Sequence, residues 1–296
     1  MIYRSNIVIP TTCPLTFIDA RSQQTVYPER YLQRFGSTDP LHIQFLASND
    51  LADTFYLKCY SAQYDIPLAS ATFTKSTLLA GSYYYWNAYL SFTTILAAIQ
   101  ALGIHYLNTV VYFRIETTDI YMDSLPVYIG SHPETVGLLY HNTSNDFETV
   151  FGTWSMTNSF LLRVQGGFAR GYFKMGGDYE TFLNQKNEPK VVYAMPKSNY
   201  ILTLGDNSGL SDTMVEKLNA ILHLDTIMIN GIQYCRMGEV SQTLNDFGLW
   251  NLKVEMTPAT NRMTQNMEGD IWIVTQDETP ITDEDLNILT ISTAIE

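Results

Sequence analysis

Apolar residues recur along the first 124 positions in alternating or continuous runs of strand length. Residues 41–47 (LHIQFLA) and 54–60 (TFYLKCY) show this pattern, and the Asn-Asp pair between them is typical of a turn. Residues 107–118 (LNTVVYFRIETT) predict another strand. We therefore predict an N-terminal β-rich module over residues 1–124.

One segment of this module fits two structures. Residues 93–103 (TTILAAIQALG) could form a short helix that Thr93 or Thr94 caps and Gly103 ends. An apolar run this short could also be a buried strand. The sequence leaves both interpretations open.

The clearest helical signal lies late in the chain, at about residues 211–223. Ser211 is a suitable N-cap, and Asp212 and Glu216 favour the positive end of a helix dipole. Four apolar residues follow helical spacing and would form one face: Val215, Leu218, Ile221 and Leu222. We predict one amphipathic helix here.

A β-hairpin should follow this helix. Residues 225–236 (DTIMINGIQYCR) place Asn230-Gly231 between two apolar runs. Asn-Gly is the preferred pair for a type I′ turn, because both residues adopt positive φ at low cost.

A glycine-rich run precedes the helix. Residues 165–178 (QGGFARGYFKMGGD) could cradle a phosphate or bind single-stranded nucleic acid, since glycines, basic residues and aromatics are interleaved. The run lacks the spacing of either common nucleotide-binding glycine motif. We therefore interpret it as a connecting loop, with a helical turn near 179–183.

These elements predict a predominantly β, α+β fold with two sandwich- or barrel-like modules. We place the boundary within Asp119–Pro133 and the second module, with the helix and the hairpin, at residues 125–264. Residues 265–296 hold eight acidic residues and no Lys or Arg. This last segment is predicted to be an acidic arm that contacts a neighbouring molecule.

Charge and composition narrow the possible partners. Charged residues make up 16% of the chain, the net charge is −13, and there are 20 tyrosines. Few charges and many tyrosines suit large permanent protein contacts. The negative charge repels phosphate, so we expect no sequence-specific binding of nucleic acid.

The cysteines and the apolar runs exclude further classes of protein. Cys13, Cys59 and Cys235 are odd in number and far apart, which indicates neither a disulfide framework nor a zinc site. No apolar run reaches 18 residues, so we expect no membrane insertion. The N-terminus shows no signal-peptide pattern.

Candidate chemistry is concentrated in residues 125–153. His132 and His141, with Glu134 and Asp146, could ligate a metal ion, but their spacing matches no metal motif. Histidines of turns and of the surface are the simpler interpretation. We expect no metal and no cofactor.

The same stretch contains a formal glycosylation triplet at 142–144 (Asn-Thr-Ser). Asx and hydroxyl side chains favour turns, so a turn is the better interpretation. No nucleophile, kinase or lactamase motif occurs anywhere in the chain. The sequence predicts no catalytic residues and a protein that is not an enzyme.

Aromatic residues are the remaining candidates for contact with a partner. Such rings could stack on sugars or fill a subunit contact, although core packing is the commoner role. The candidates are Tyr83, Tyr84, Tyr85, Trp86, Phe168 and Tyr172.

Several segments together resemble tail proteins of tailed phages and prophages of Bacteroides-type bacteria. Over residues 125–262, the chain has a strand pair, a glycine-containing loop, a helix and an Ile-Asn-Gly-x-x-Tyr hairpin. The segment Pro258-Ala259-Thr260-Asn261 then ends this succession. The similarity lies in apolar and turn residues, and residues 1–124 fit it only loosely.

The resemblance implies a structural protein of the virion, similar to a distal tail or baseplate hub protein. Such a protein would form a ring, commonly hexameric, between the tail tube and the adhesion apparatus, with tube, hub and fibre proteins as partners. It would be made in the host cytoplasm without a signal peptide and end in the tail. The alternatives are a carbohydrate-binding or host-adhesion module and a hydrolase of glycans or cell wall, which would need convergent carboxylates.

Overall fold

Burial alternates along many of the strands, as expected where one face of a sheet covers a core. In the strand Thr109–Glu116, the buried Val111, Phe113 and Ile115 alternate with half-buried residues. β-Branched and aromatic side chains favour this pleated, half-buried surface. The strand predicted over 107–118 is confirmed.

The computed structural model describes residues 2–4, 7–18, 32–48, 54–80, 83–103, 109–117, 121–152, 159–183, 186–205, 209–259, 271–272 and 290–291. In six of its strand segments it describes the backbone alone: residues 2–4, 77–80, 169–180, 191–198, 271–272 and 290–291. The chain divides into two compact units, Met1–Thr257 and Pro258–Glu296. Apart from two short strands, the predicted acidic arm lies outside the described residues.

The elements before residue 131 are twelve described strands and one helix. They are β1 (Ile2–Arg4), β2 (Ile7–Ile9), β3 (Phe17–Ile18), β4 (Gln33–Gly36), β5 (Pro40–Ser48), β6 (Tyr56–Ser61), β7 (Pro67–Thr72), β8 (Thr74–Ala80), β9 (Tyr83–Ser91), α1 (Phe92–Ala101), β10 (Thr109–Glu116), β11 (Tyr121–Ser124) and β12 (Val127–Gly130).

Two sheets contribute to the first apolar cluster, whose buried members run from Ile7 to Ile129. One sheet has the order β1-β2-β5-β9-β8. The other has the order β3-β11-β10-β12-β4, with β6 pairing to β10 and β7 to β6. β12 runs parallel to β4, whereas β10 is antiparallel to β6, β11 and β12.

Helix α1 resolves the segment that the sequence left open. It buries Phe92, Ile95 and Ile99, which lie on one helical face, in the first cluster. The cap is Ser91, whose side chain accepts from the backbone N–H of Thr93, so neither predicted threonine begins the helix. Gly103 follows the helix at φ 71°, the left-handed conformation in which glycine often ends helices.

The elements after residue 131 build a second, closed structure. They are β13 (Thr135–His141), β14 (Phe160–Leu183), β15 (Pro189–Leu204), α2 (Asp212–Ile221), β16 (Thr226–Ile229), β17 (Ile232–Leu244) and β18 (Trp250–Pro258). The strands form a closed barrel in the order β13-β14-β15-β18-β17-β16. A second apolar cluster, from Val136 to Met256, fills it together with α2. β19 (Ile271–Trp272) and β20 (Thr290–Ile291) pair with each other.

The two strongest local predictions are confirmed. Helix α2 starts after Ser211, whose side chain accepts from the backbone N–H of Met214, and it buries Leu218 and Ile221. β16 and β17 form the predicted hairpin, and Asn230 and Gly231 have φ of 52° and 78°, as a type I′ turn requires. The predominantly β, α+β fold class is likewise confirmed.

The glycine-rich run does not form the predicted loop. Residues 165–178 belong to the continuous strand β14, and the helical turn predicted near 179–183 is also strand. β14 and β15 pair from Gly166↔Leu204 to Leu183↔Pro189, with register shifts between Phe168 and Phe173 and between Glu180 and Thr181. Backbone pairing along this hairpin therefore overrides the tendency of glycine to form loops.

The irregular segment 10–16 lies between the two clusters and is almost completely buried. The ammonium of Lys217, on α2, donates hydrogen bonds to the carbonyls of Cys13 and Leu15 at 2.5 and 3.0 Å and to Thr16 Oγ1 at 3.2 Å. Only 4% of Lys217 is exposed. Burial lowers the pKa of Lys217 to about 8.

Other groups donate to further carbonyls of this segment. Gln33 Nε2 donates to the carbonyl of Pro14 at 2.6 Å, and the Tyr140 hydroxyl donates to that of Thr12. The backbone N–H of Leu125 donates to the carbonyl of Thr16 at 2.7 Å. Because a buried backbone group without a partner is costly, these donors hold the segment in place.

Replacing Lys217 with methionine should destabilise the protein. The Lys217→Met side chain keeps most of the volume but leaves the carbonyls of Cys13 and Leu15 without their donor, so we expect a loss of about 2–4 kcal/mol in the free energy of unfolding. Lys253, an exposed lysine, provides the control, since Lys253→Met should change stability by less than about 0.5 kcal/mol. Urea unfolding at neutral pH measures both; equal stability of the two variants would contradict this role.

The loss of stability in Lys217→Met should also depend on pH. The pKa of Lys217 is about 8 in the folded protein and 10.5 without burial, so between these values the folded state binds fewer protons than the unfolded state. Stability from this group therefore rises with pH across that window, by at most about 1.4 kcal/mol per unit. The gap between wild type and Lys217→Met should widen from pH 8 to pH 10.

Candidate functional site

The two histidines of residues 125–153 lie in separate environments. His132 follows β12 and is buried, with Nδ1 3.6 Å from Glu134 Oε1, and burial lowers its pKa. His141 ends β13, and its Nε2 donates to the carbonyl of Gly152 at 2.7 Å. Both are buried, so the expectation of surface histidines is wrong.

The neighbouring acids are engaged in other contacts. Glu134 accepts a hydrogen bond from Arg34 at 2.5 Å, and Asp146 accepts from the backbone N–H of Phe147 at 2.8 Å within its own turn. Among the residues that the structure describes, no group of three His, Cys, Asp or Glu could hold a metal ion.

The Asn-Thr-Ser triplet forms a turn. Asn142 is buried, and its amide donates to the carbonyl of Ser144 at 3.0 Å and accepts from the backbone N–H of Asp225 at 3.1 Å. Asp225 in turn accepts from the backbone N–H of Thr143 at 2.9 Å. These bonds join the turn to the start of β16, so the turn interpretation is confirmed.

The tyrosine-rich run is divided between core and surface. Trp86 packs in the first cluster between Phe45 and Phe55, and Tyr85 packs against Val8 and Leu46. Both side chains are buried. Their rings are therefore unavailable for stacking on a sugar.

The other aromatic candidates differ in what they expose. Tyr83 and Tyr84 are half-buried, and the ammonium of Lys75 lies 3.9 Å from the centre of the Tyr84 ring. Phe168 packs in the barrel against Tyr200 and Tyr234. Of Tyr172 the structure describes only the backbone, within β14.

Polar contacts across the seam between the clusters were not evident from the sequence. The guanidinium of Arg163, on β14, donates to both carboxylate oxygens of Asp39 at 2.6 and 2.7 Å. Gln44, on β5, accepts from the backbone N–H of Val150 at 2.7 Å and donates to its carbonyl at 3.1 Å. These pairs anchor the barrel and the 143–151 loop to the first sheet.

An exposed sheet face of tyrosines was also missed. The rings of Tyr60 and Tyr112 are stacked with their centres 5.2 Å apart, and Arg114 lies 4.8 Å from the ring centre of Tyr121. Asp123 fixes Arg114 through two hydrogen bonds, at 2.6 and 2.9 Å. The rings and the guanidinium thus contact one another.

The element with the greatest potential for contact is the outer part of the β14–β15 hairpin. We call residues 173–183 and 189–199, with their mutual pairing, the ribbon. β14 pairs with β13 only up to Gln165, and β15 pairs with β18 only from Tyr200 onward. Within the described strands, each ribbon strand is therefore paired along one edge.

A signal for this ribbon is present in the sequence. The residues around its end, Thr181–Leu183 and 190–195 (KVVYAM), have β propensity, but the glycine pairs before them indicated a loop. Periodicity alone could not show that the two stretches pair.

Comparisons with known proteins identify no family for this chain. No protein-family model and no curated protein matches it. A solved structure of a DUF4784 family protein from Bacteroides caccae aligns with 88% of this chain and 82% of its own length, at 10% identity and a TM-score of 0.18. A TM-score that low carries no argument. In the part of the chain that the structure describes, no helix is long and apolar enough to cross a membrane.

The Arg163–Asp39 ion pair should contribute more to the free energy of unfolding than an ion pair at the surface. Arg163→Met would leave the carboxylate of Asp39, whose side chain is 8% exposed, without its bidentate partner, at a cost of about 2–4 kcal/mol. Arg34, in the more exposed pair with Glu134, is the matched control, because Arg34→Met should cost less than about 1 kcal/mol. Urea denaturation compares the two; similar losses would show that the buried pair has no special role.

Proposed function

We propose that this chain is a structural protein of a phage tail and has no catalytic role. It would form a ring, similar to a distal tail or hub component, and link the tail tube to the adhesion apparatus in the virion. Its partners would be further copies of itself, commonly six, and the tube, hub and fibre proteins. The resemblance over residues 125–262 suggests this class, and the ribbon is the observation that carries the proposal.

The ribbon should be only marginally stable in an isolated monomer. A two-stranded hairpin is marginally stable in water, because half of its backbone groups lack a strand partner. Open strand edges pair readily with other chains. At the rise of a β-strand, the ribbon spans roughly 30 Å, which gives a long edge for such pairing.

Rotational symmetry would satisfy both edges at once. When identical ribbons stand side by side and point the same way, β15 of one copy lies next to β14 of the following copy. These two strands run in opposite directions, so they can pair as an antiparallel ladder. The contact is heterologous, and it closes into a ring when the rotation divides a full turn.

The charges along the ribbon favour this arrangement. Within the ribbon, β14 carries two acids and one base, Asp178, Glu180 and Lys174, whereas β15 carries only bases, Lys190 and Lys197. Pairing β15 with the next β14 brings opposite charges onto adjacent strands, and pairing two β14 strands would bring acids together. The negative charge of the whole chain, −13, would keep the lumen of a ring from holding nucleic acid.

The register of the hairpin provides a direct test. Phe173 pairs with Tyr200, so replacing residues 174–199 with Asn-Gly should close the hairpin in a short turn and remove the ribbon. We expect the wild type to assemble into a ring, near six copies, and the shortened variant to remain a folded monomer. Mass photometry and negative-stain images measure assembly, and circular dichroism verifies the fold.

A variant that keeps the ribbon is the control. Phe182→Ser with Leu183→Ser alters only the ribbon's end and should assemble like the wild type. A ring formed by the shortened variant would contradict the proposal, as would a wild-type chain that stays monomeric at every concentration.

A further inference from the structure

One histidine of the first sheet lies between rings from both halves of the larger unit. His42, on β5, is only 5% exposed. Its imidazole stacks on Tyr89, of the neighbouring strand β9, and on Phe160, of the barrel strand β14, with ring centres 4.2 and 4.1 Å apart. The imidazole is therefore part of the contact between the first sheet and the barrel.

The hydrogen bonds of His42 suit a neutral imidazole. Its Nε2 lies 3.2 Å from Oδ1 of Asn87, an oxygen that also accepts from Gln44 at 2.8 Å. Because an amide oxygen can only accept, Nε2 must carry the proton of the neutral ring. Nδ1 is buried and makes no hydrogen bond within the described residues. A second proton would therefore go onto a nitrogen that lacks an acceptor.

The groups that face His42 offer no negative charge to balance that proton. In the described part of the chain they are the side chains of Asn87, Tyr89 and Phe160 and the backbone of Ser159. Burial raises the pKa of the Tyr89 hydroxyl, so this group stays neutral in acid. An imidazolium here would be an unpaired charge shielded from water, which is costly.

The cost of this charge appears in the titration of His42. Burial lowers the pKa of His42 to about 4, from an ordinary value of 6.5, although Asn87 and the backbone of Ser159 favour the charged form. Between these values a closed seam binds fewer protons than an open one, in which the imidazole meets water. Closure is therefore unaffected above pH 6.5 and weakens as the pH falls toward 4, by at most about tenfold per unit.

The contacts beside His42 would be released together with it. Gln44 lies two residues further along the same face of β5 and holds the backbone of Val150 in the 143–151 loop. The backbone of Gln44 also lies beside the thiol of Cys13, in segment 10–16. We propose that protonation of His42 opens the seam between the first sheet and the barrel, as an acid-sensitive switch. This switch requires neither the ring nor a place in a phage tail.

The three free cysteines can report on this opening in the full chain. Cys13 lies at the seam, Cys59 is buried on β6 in the first cluster, and Cys235 is exposed. The reagent 4,4′-dithiodipyridine reacts with thiols in acid, and peptide mass spectrometry gives the labelling rate of each cysteine. Dividing the rate of Cys13 by that of Cys235 removes the pH dependence of the reaction itself.

Acid should expose the seam and leave the core closed. From pH 7 to about pH 4.5 we expect the relative labelling of Cys13 to rise at least about tenfold, while Cys59 stays protected. His42→Gln removes the titrating group and should abolish the rise. Asn87→Asp places a carboxylate beside Nε2, which favours the imidazolium in the closed state, and should also abolish it.

The control is His223→Gln, at an exposed histidine just after α2, which should respond to acid like the wild type. Three results would overturn the proposal: equal relative labelling of Cys13 at both pH values, Cys13 and Cys59 becoming reactive together, and an unchanged acid response in His42→Gln. If His42→Gln does not fold, the difference between Cys13 and Cys59 in the wild type and the response of Asn87→Asp still decide.

Discussion

The buried ammonium group of Lys217 is the central polar contact between the two halves of the larger unit, beside the Arg163–Asp39 pair and the bonds of Gln44 to Val150. Lys217 reaches from the barrel helix to the carbonyls of Cys13 and Leu15, and no carboxylate is among its hydrogen-bond acceptors there. Among the described strands, those of each half pair only within that half, so the irregular segment 10–16 between the halves depends mainly on side chains as donors. Gln33 from the first half and Tyr140 from the second supply two further side-chain donors.

These hydrogen bonds fix the position of segment 10–16 in the interior. The ribbon lies outside this network of bonds. Segment 10–16 has a donor for nearly every carbonyl, whereas the ribbon has strands that are paired along one edge in the described structure. The first pattern is typical of a core, and the second leaves strand edges with which another chain can pair. The proposed ring follows from the edges of the ribbon.

Predictions from the sequence succeeded where the signal is local. The Asn230-Gly231 turn and the helix after Ser211 depend on the residues that form them, and both are confirmed. Long-range features escaped prediction, because pairing and burial depend on distant partners. Nothing near Lys217 indicates that it is buried, and the glycine pairs of β14 gave no sign that β15 would hold them in a strand.

The candidate site shows the same limit. The run from Tyr83 to Trp86 is aromatic throughout, yet tertiary packing buries Tyr85 and Trp86 and leaves the other two rings half-buried. Exposed aromatics and buried aromatics look alike in a sequence.

The central claim is that the ribbon's open edges are the assembly surface. Hydrogen exchange along the ribbon tests this claim most directly. In a monomer, amides at alternate positions of residues 173–183 and 189–199 should exchange quickly, since only every second backbone N–H faces the partner strand. Pro189 and Pro196 have no N–H and are left out of this comparison. In the assembled particle we expect slow exchange at all of these amides. Fast exchange at alternate positions within an assembled ring would show that the copies associate through another surface, and the account of the ribbon would be wrong.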